Sequence, residues 1–231
     1  MKASRLEAAI FDFDGVIVNS EPLHCAAFQR ILEPLGIAFT WDDYIEFYLG
    51  FDDRDAIRQA FRQSGKRVKD AELPALIDAK ARAFEALAEE RGAEPYPGVV
   101  ELIRALDREV PVALCSGALR RDAEPILRKL GLRDCFKVMV TADEVAVSKP
   151  DPSSYRLAVK RLAEVAGRVI DARHSVAIED TPAGIEAAAG AGLKVLAVAN
   201  SYKADKLSGA TRVVDSLAGV TPEDLARLVA G

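Results

Sequence analysis

Two carboxylates stand two residues apart at the end of an apolar run, in Ile10-Phe11-Asp12-Phe13-Asp14-Gly15. On an extended backbone that spacing sends both side chains to one face. At the carboxyl end of a strand, where an open α/β sheet binds its ligand, two such groups repel unless a cation or a proton lies between them. Asp12 and Asp14 therefore read as a metal or acid/base pair. The same letters also suit a strand running into an Asp-Gly turn, so the weight falls on which other polar residues share the strand ends.

Three clusters do. Cys115-Ser116-Gly117-Ala118 follows an apolar run. It offers a hydroxyl, a glycine that lets the backbone approach closely, and the N–H groups of a helix start, which together cradle an anion. Ser116 as a plain helix cap is the competing reading. In Ser148-Lys149-Pro150-Asp151-Pro152 the proline after Lys149 disfavours helical geometry, which holds the lysine on an extended loop. Asp151 and Pro152 suit the cap and first position of the next helix. A solvated loop lysine is the ordinary alternative. Ile178-Glu179-Asp180-Thr181-Pro182 places two adjacent acids directly after a strand. A capping role for Asp180 leaves Glu179 unexplained.

Asp12, Asp14, Glu179 and Asp180 form an oxygen-only donor set, which selects Mg²⁺ over zinc. Lys149 adds a fixed positive charge, and Ser116 with Gly117 a phosphate cradle. A carboxylate attacking a phosphate ester meets a repulsion of about 4 kcal/mol per unit-charge pair near 4 Å at an effective dielectric of 20. A divalent cation and a lysine offset it. The second aspartate can then protonate the leaving alkoxide and later deprotonate the attacking water.

The elements that must position these groups follow from periodicity. A strand is expected over 7–13, then a helical stretch from 20 to 93. Within it, Glu21 to Leu35 repeats apolar residues at helical spacing and Gly36 stops it. Thr40 and Asp43 resemble a capping pair for a short helix through Tyr48, ended by Gly50. Amphipathic segments follow from Asp53 to Gln63, with Phe61 on the apolar side, and from Glu72 to Arg91. From Glu94 strands and helices alternate: helix 98–107, strand 110–115, helix 120–130, strand 136–141, helix 152–166, strand 174–179, helix 182–191 and strand 193–199. A short strand at Arg212-Val213-Val214 and a helix at 221–230 close the chain. Alternation of this kind predicts an α/β fold, a Rossmann-like, doubly wound parallel sheet. Residues 1–19 and 94–231 form its core, and residues 20–93 a helical insert. Trp41 and His174 read as core or strand-end residues.

Composition narrows the class. At 231 residues, 50% hydrophobic and 29% charged, the chain can bury a sizeable core. A net charge of −5 with scattered Lys and Arg gives no nucleic-acid footprint. No run of 18 apolar residues and no signal-peptide core is visible, so a cytoplasmic protein without membrane association is expected. Cys25, Cys115 and Cys135 are odd in number and far apart, and read as small hydrophobes rather than disulfide or zinc ligands. Nothing points to a protein partner.

In order and spacing, the four clusters resemble the haloacid dehalogenase-like phosphohydrolase superfamily over the whole chain. The insert after the first cluster resembles the helical cap of its phosphoglycolate phosphatase, sugar-phosphate phosphatase and β-phosphoglucomutase subgroup. The resemblance implies Asp12 as a nucleophile that becomes an aspartyl phosphate, Asp14 as general acid/base, and Ser116, Gly117 and Lys149 as phosphate holders. It implies a Mg²⁺ site of Asp12, the Asp14 carbonyl and Asp180, with Glu179 a direct or water-mediated ligand, and a cap closing over a small phosphorylated metabolite. Asp14 argues against the dehalogenases and the phosphonate-cleaving relatives. His24 matches a cap histidine of the mutases and is a substrate or hinge candidate, or else a helix-surface residue. Arg120 is a substrate contact or a solvated helix-start residue. Where the mutases tend to carry Lys-Gly and, three residues later, Arg, this chain has Leu49-Gly50 and Asp53. The expected function is a Mg²⁺-dependent sugar-phosphate phosphatase, with a phosphosugar mutase as the alternative. A receiver-like phosphoacceptor also pairs strand-end aspartates with a lysine, but is about half as long and has no such insert.

Overall fold

The computed structural model describes residues 6–230. The chain divides into two compact units, one comprising Met1–Asn19 and Pro95–Gly231, the other Ser20–Glu94.

The first unit is built on six parallel strands: β1 (Ala8–Phe11), β2 (Val112–Cys115), β3 (Phe136–Val140), β4 (Ser175–Glu179), β5 (Lys194–Val198) and β6 (Arg212–Val214), in spatial order β3-β2-β1-β4-β5-β6. Every residue of β1, β2 and β4 is buried, as required of central strands covered on both faces. The crossovers carry α5 (Val99–Asp107), α6 (Arg120–Lys129), α7 (Ser153–Ala166) and α8 (Pro182–Gly190), and α9 (Pro222–Ala230) ends the unit. One face of the sheet packs Ile10, Val140 and Val195 against Tyr155, Leu162 and Ile185 of the helices. Successive crossovers run outward from β1 to β3, then resume at β4 on its other side. The strand order therefore reverses at β1, the usual place for a ligand crevice. Register levels the ends there, since Phe11 pairs with both Leu114 and Ile178. The next residues, Asp12, Cys115 and Glu179, fall at one edge, with Ser116 directly after Cys115.

The strands are shorter than periodicity predicts. β1 stops at Phe11: the Asp12 N–H still donates to Ile178 O at 3.0 Å, but Ile17 N and Val18 N both turn back to Phe13 O. Alternation on an extended strand thus does not relate Asp12 to Asp14; a turn does.

The helical unit holds α1 (Glu21–Leu32), α2 (Trp41–Phe47), α3 (Asp53–Gln63) and α4 (Leu73–Arg91). Leu23, Ala27, Phe28 and Leu32 of α1 and Ala81, Phe84 and Leu87 of α4 are buried. The predicted first helix ends early because Pro34 has no N–H to donate and cannot sit in a helix interior. Glu33–Leu35 instead forms a 3₁₀ turn and Leu35 is exposed. Thr40 and Asp43 do form a reciprocal cap on α2, with Asp43 N donating to Thr40 Oγ1 and Thr40 N to Asp43 Oδ2. Trp41 is not a core residue: it lies 43% exposed in the first turn of α2, stacked on Tyr44. Phe61 is only half-buried. The least expected interior residue is Lys80, fully buried on α4, its ammonium 2.8 Å from Asp53 Oδ1 and over the rings of Phe28 and Phe84. An ammonium at that depth requires such partners.

Candidate active site

Lys149 is the hub of the strand-end cluster. Its Nζ lies 2.8 Å from Asp12 Oδ1, 2.6 Å from Glu179 Oε1 and 3.1 Å from Cys115 O. An ammonium has three N–H donors, and these three acceptors match them. Beneath the ammonium, the Tyr155 ring centroid is 5.1 Å away, and the Tyr155 hydroxyl donates to Glu179 Oε1 at 2.7 Å. Burial alone pushes an ammonium pKa down, but Asp12 and Glu179 outweigh it and hold Lys149 well above its ordinary value. For Asp12, burial raises the pKa from 3.8 to about 7; Lys149 opposes the rise and Glu179 adds to it. The lysine enters from the loop after β3, where the Lys149–Pro150 peptide is cis. α7 opens at Ser153, one residue later than expected, with Asp151 Oδ1 accepting from Ser153 N.

Glu179, at the end of β4, is fully buried and held from all sides. Oε2 accepts from Asp180 N (3.1 Å), Thr181 N (3.4 Å) and Thr181 Oγ1 (3.3 Å). Thr181 in turn caps α8 by accepting from Gly184 N. A Cβ on Gly184 would lie 2.0 Å from the Glu179 carboxyl carbon, so only glycine lets α8 approach this closely. Asp180, also fully buried, lies against Gly15. With φ at +77° and a would-be Cβ 1.8 Å from Asp180 Oδ2, Gly15 admits no side chain. Asn200, just past β5, donates to Gly15 O at 2.7 Å. Ends of β4 and β5 thus fix the turn that carries Asp14, which is itself partly buried.

Ligand oxygens of Asp12, Glu179 and Asp180 all lie within 4.8 Å of one another. Asp180 adds a third buried carboxylate to the two that meet Lys149, and the excess negative charge in a low-dielectric setting asks for a hard cation. The donor set is all oxygen, which fits Mg²⁺ rather than zinc.

Ser116 lies beside this cluster. It is buried, its N–H donates to Val140 O, and its Oγ accepts from Ala118 N at 2.9 Å. It caps no helix, because α6 opens at Arg120. A Cβ on Gly117 would meet nothing within 4 Å. The space in front of it is open. Arg120 is engaged by the end of β3, its Nη2 donating to Met139 O at 2.9 Å and Glu144 Oε2 at 2.8 Å. It stands first in α6, and its side chain is 35% exposed.

His24 belongs to the helical unit and is not on a helix surface. It is buried, stacked on Phe84 at 4.3 Å, with Nδ1 2.7 Å from Lys80 Nζ. An ammonium only donates, so toward Lys80 the Nδ1 atom acts as acceptor. His174 lies just before β4, half-exposed, 3.5 Å from Asp171. Sequence reasoning missed Tyr155, Asn200 and Lys80. Asn200 alone carried a legible signal, a polar residue directly after an apolar strand like the others.

A family model described as haloacid dehalogenase-like hydrolase matches residues 9–198. The chain is 32% identical over 231 residues to a phosphorylated carbohydrates phosphatase of Thermotoga maritima, covering 95% of this chain and 96% of that protein. It is 30% identical over 222 residues to a β-phosphoglucomutase of Bacillus subtilis, covering 94% and 93% respectively. Among solved structures, that of CbbY from Rhodobacter sphaeroides in complex with phosphate superposes with a TM-score of 0.82 at 29% identity, over 93% of this chain and 96% of that one.

Proposed function

The chain belongs to the haloacid dehalogenase-like hydrolase family, and from that premise we propose that it hydrolyses a small sugar phosphate through a phosphoryl group held on Asp12. One observation carries this reading: a buried strand-end aspartate bonded to a largely buried lysine, with two further buried carboxylates behind it. Asp12, Asp180, Glu179 and the Asp14 carbonyl would hold Mg²⁺, which supplies charge neutralisation for an anion approaching a carboxylate.

The remaining steps fall to the protein. Lys149 exchanges its bond to Asp12 for one to a phosphate oxygen and keeps its bond to Glu179, so the ammonium need not travel. Asp12, freed of that bond, attacks phosphorus as the ester P–O bond breaks, and Asp14 gives its proton to the leaving alkoxide. Asp14 then takes a proton from water, whose oxygen attacks the aspartyl phosphate, releasing phosphate and restoring Asp12. Ser116 holds a phosphate oxygen across the open space at Gly117. We assign the Ser20–Glu94 unit the role of a cap that selects the substrate.

A mutase must hold a second phosphate with basic groups. At the positions concerned this chain offers Leu49 and Asp53, and Asp53 is bound to Lys80. That weighs for hydrolysis. The test is phosphate release from a panel of sugar phosphates, phosphoglycolate and pyrophosphate, with Mg²⁺ and with chelator, alongside Asp12→Asn. The panel includes β-glucose 1-phosphate with a trace of bisphosphate, assayed for glucose 6-phosphate. Metal-dependent phosphate release, lost in Asp12→Asn, is the expected result. Isomerised sugar phosphate with little free phosphate would overturn it in favour of the mutase.

A further inference from the structure

Arg120 and Glu144 lie outside the carboxylate cluster, but each shares a loop with one of the two residues read above as phosphate holders. Arg120 follows Ser116 by four residues, and Glu144 precedes Lys149 by five. The two loops leave neighbouring strands, β2 and β3, and are tied at the backbone by Ser116 N to Val140 O and Ala142 N to Ala118 O. Beyond that point the tie is made by side chains. Arg120 N donates to Asp143 Oδ1 at 3.1 Å, and its Nη2 bridges Met139 O and Glu144 Oε2. Glu144 is itself immobilised: Oε2 also accepts from Thr141 N and Oγ1, and Oε1 accepts from Arg161 Nη1 of α7 at 2.6 Å.

An isolated surface ion pair contributes little. Here the carboxylate is 22% exposed and fixed by four donors from three segments, so Arg120 closes a network rather than forming a mobile pair. We propose that Arg120 is a positioning residue of the phosphate site, which through Glu144 sets the spacing between the Ser116 loop and the Lys149 loop. The inference rests on the reading of Ser116 and Lys149 as phosphate holders. Spacing of this kind serves the bound phosphate and the transition state alike, so its loss appears in KM and in product inhibition rather than in kcat.

The test uses the full chain with Mg²⁺, p-nitrophenyl phosphate as substrate and inorganic phosphate as inhibitor. Arg120→Met and Glu144→Gln should each raise KM and the phosphate inhibition constant about 5- to 10-fold, the effect of about one ordinary hydrogen bond, with kcat within about twofold. The double variant should be no worse than either single one. Arg120→Lys, which keeps the charge but not the two-acceptor fork, should fall between, and carries the test if Arg120→Met does not fold. Melting temperatures are measured in parallel. An unchanged inhibition constant in Arg120→Lys and Glu144→Gln, even with a lowered melting temperature, would reduce the network to a structural role and overturn the inference. So would additive effects, or a large loss for Arg120→Met that Glu144→Gln does not share, since Arg120 would then act without Glu144. Wild-type protein that neither turns over substrate nor binds phosphate would instead remove the phosphate-site reading, and the inference with it.

Discussion

Replacing Gly184 by alanine sets two physical effects against each other. Gly184 lies in the first turn of α8, and a glycine inside a helix costs roughly 0.5–1 kcal/mol relative to alanine, so propensity favours the substitution. Packing opposes it. The new methyl would stand 2.0 Å from the Glu179 carboxyl carbon and 2.0 to 2.1 Å from its oxygens. Glu179 cannot step aside cheaply, because Lys149, Tyr155, Thr181 and the Asp180 and Thr181 amides all bond to it. Overpacking costs about 1–3 kcal/mol, and losing one charge-assisted bond of the buried carboxylate about 1.5–3 more. Net destabilisation of roughly 2–5 kcal/mol should lower Tm by about 5–15 °C for a chain of this size. Scanning calorimetry measures it, with phosphatase activity recorded alongside. In a Glu179→Ala background the clash is gone and the sign should reverse, Gly184→Ala becoming neutral or stabilising. Gly117→Ala, which meets nothing within 4 Å, should leave Tm within about 2 °C. A Gly184→Ala protein as stable as wild type would refute the claim that Glu179 is fixed in place.

Asp12 predicts a pH dependence of stability in the metal-free protein. Burial raises its pKa from 3.8 to about 7, so between those values the unfolded chain has lost a proton that the folded one keeps. Stability should therefore fall as pH rises from about 4 to about 7, by on the order of 4 kcal/mol, and level off above. Denaturant melts of wild type against Asp12→Asn in chelator isolate this contribution; a difference that grows in favour of wild type over that window would contradict it. Lys149→Ala removes the ammonium that faces the carboxylates. It should lower kcat/KM and phosphate affinity together, and a rate equal to wild type would return Lys149 to a structural role. In the helical unit, Asp53→Ala removes a carboxylate partner of a fully buried ammonium and should cost about 3–5 kcal/mol. The Asp53→Ala, Lys80→Met double variant should recover most of that. A double variant less stable than Asp53→Ala in urea melts would refute the buried-pair account.

The sheet was legible because central parallel strands are continuous apolar runs, and polar clusters that chemistry could read follow β1, β2, β3 and β4. Asp12, Glu179 and Asp180 meet because register levels the ends of β1 and β4, and Lys149 reaches them from the loop after β3; sequence order alone shows neither. What sequence missed lies in contacts between distant segments. Tyr155 and Lys80 read as ordinary members of amphipathic helices, since nothing local marks a tyrosine hydroxyl aimed at Glu179 or a lysine turned inward to Asp53. Trp41 misled because a large aromatic suggests burial, while its place in the first turn of a capped surface helix leaves it exposed. Arg120 was read as facing substrate or solvent; its partner Glu144 is twenty-four residues away, in a Thr141–Glu144 capping box whose local pattern says nothing of Arg120.

The central claim is that Asp12 carries the phosphoryl group, and it is tested most directly by trapping. Wild-type protein is mixed with Mg²⁺ and an aryl phosphate, quenched in acid within milliseconds, digested and analysed by mass spectrometry. A phosphoryl group on the peptide containing Asp12, absent from Asp12→Asn, is the predicted result. Rapid turnover in Asp12→Asn, or a phosphoryl group on another residue, would contradict it.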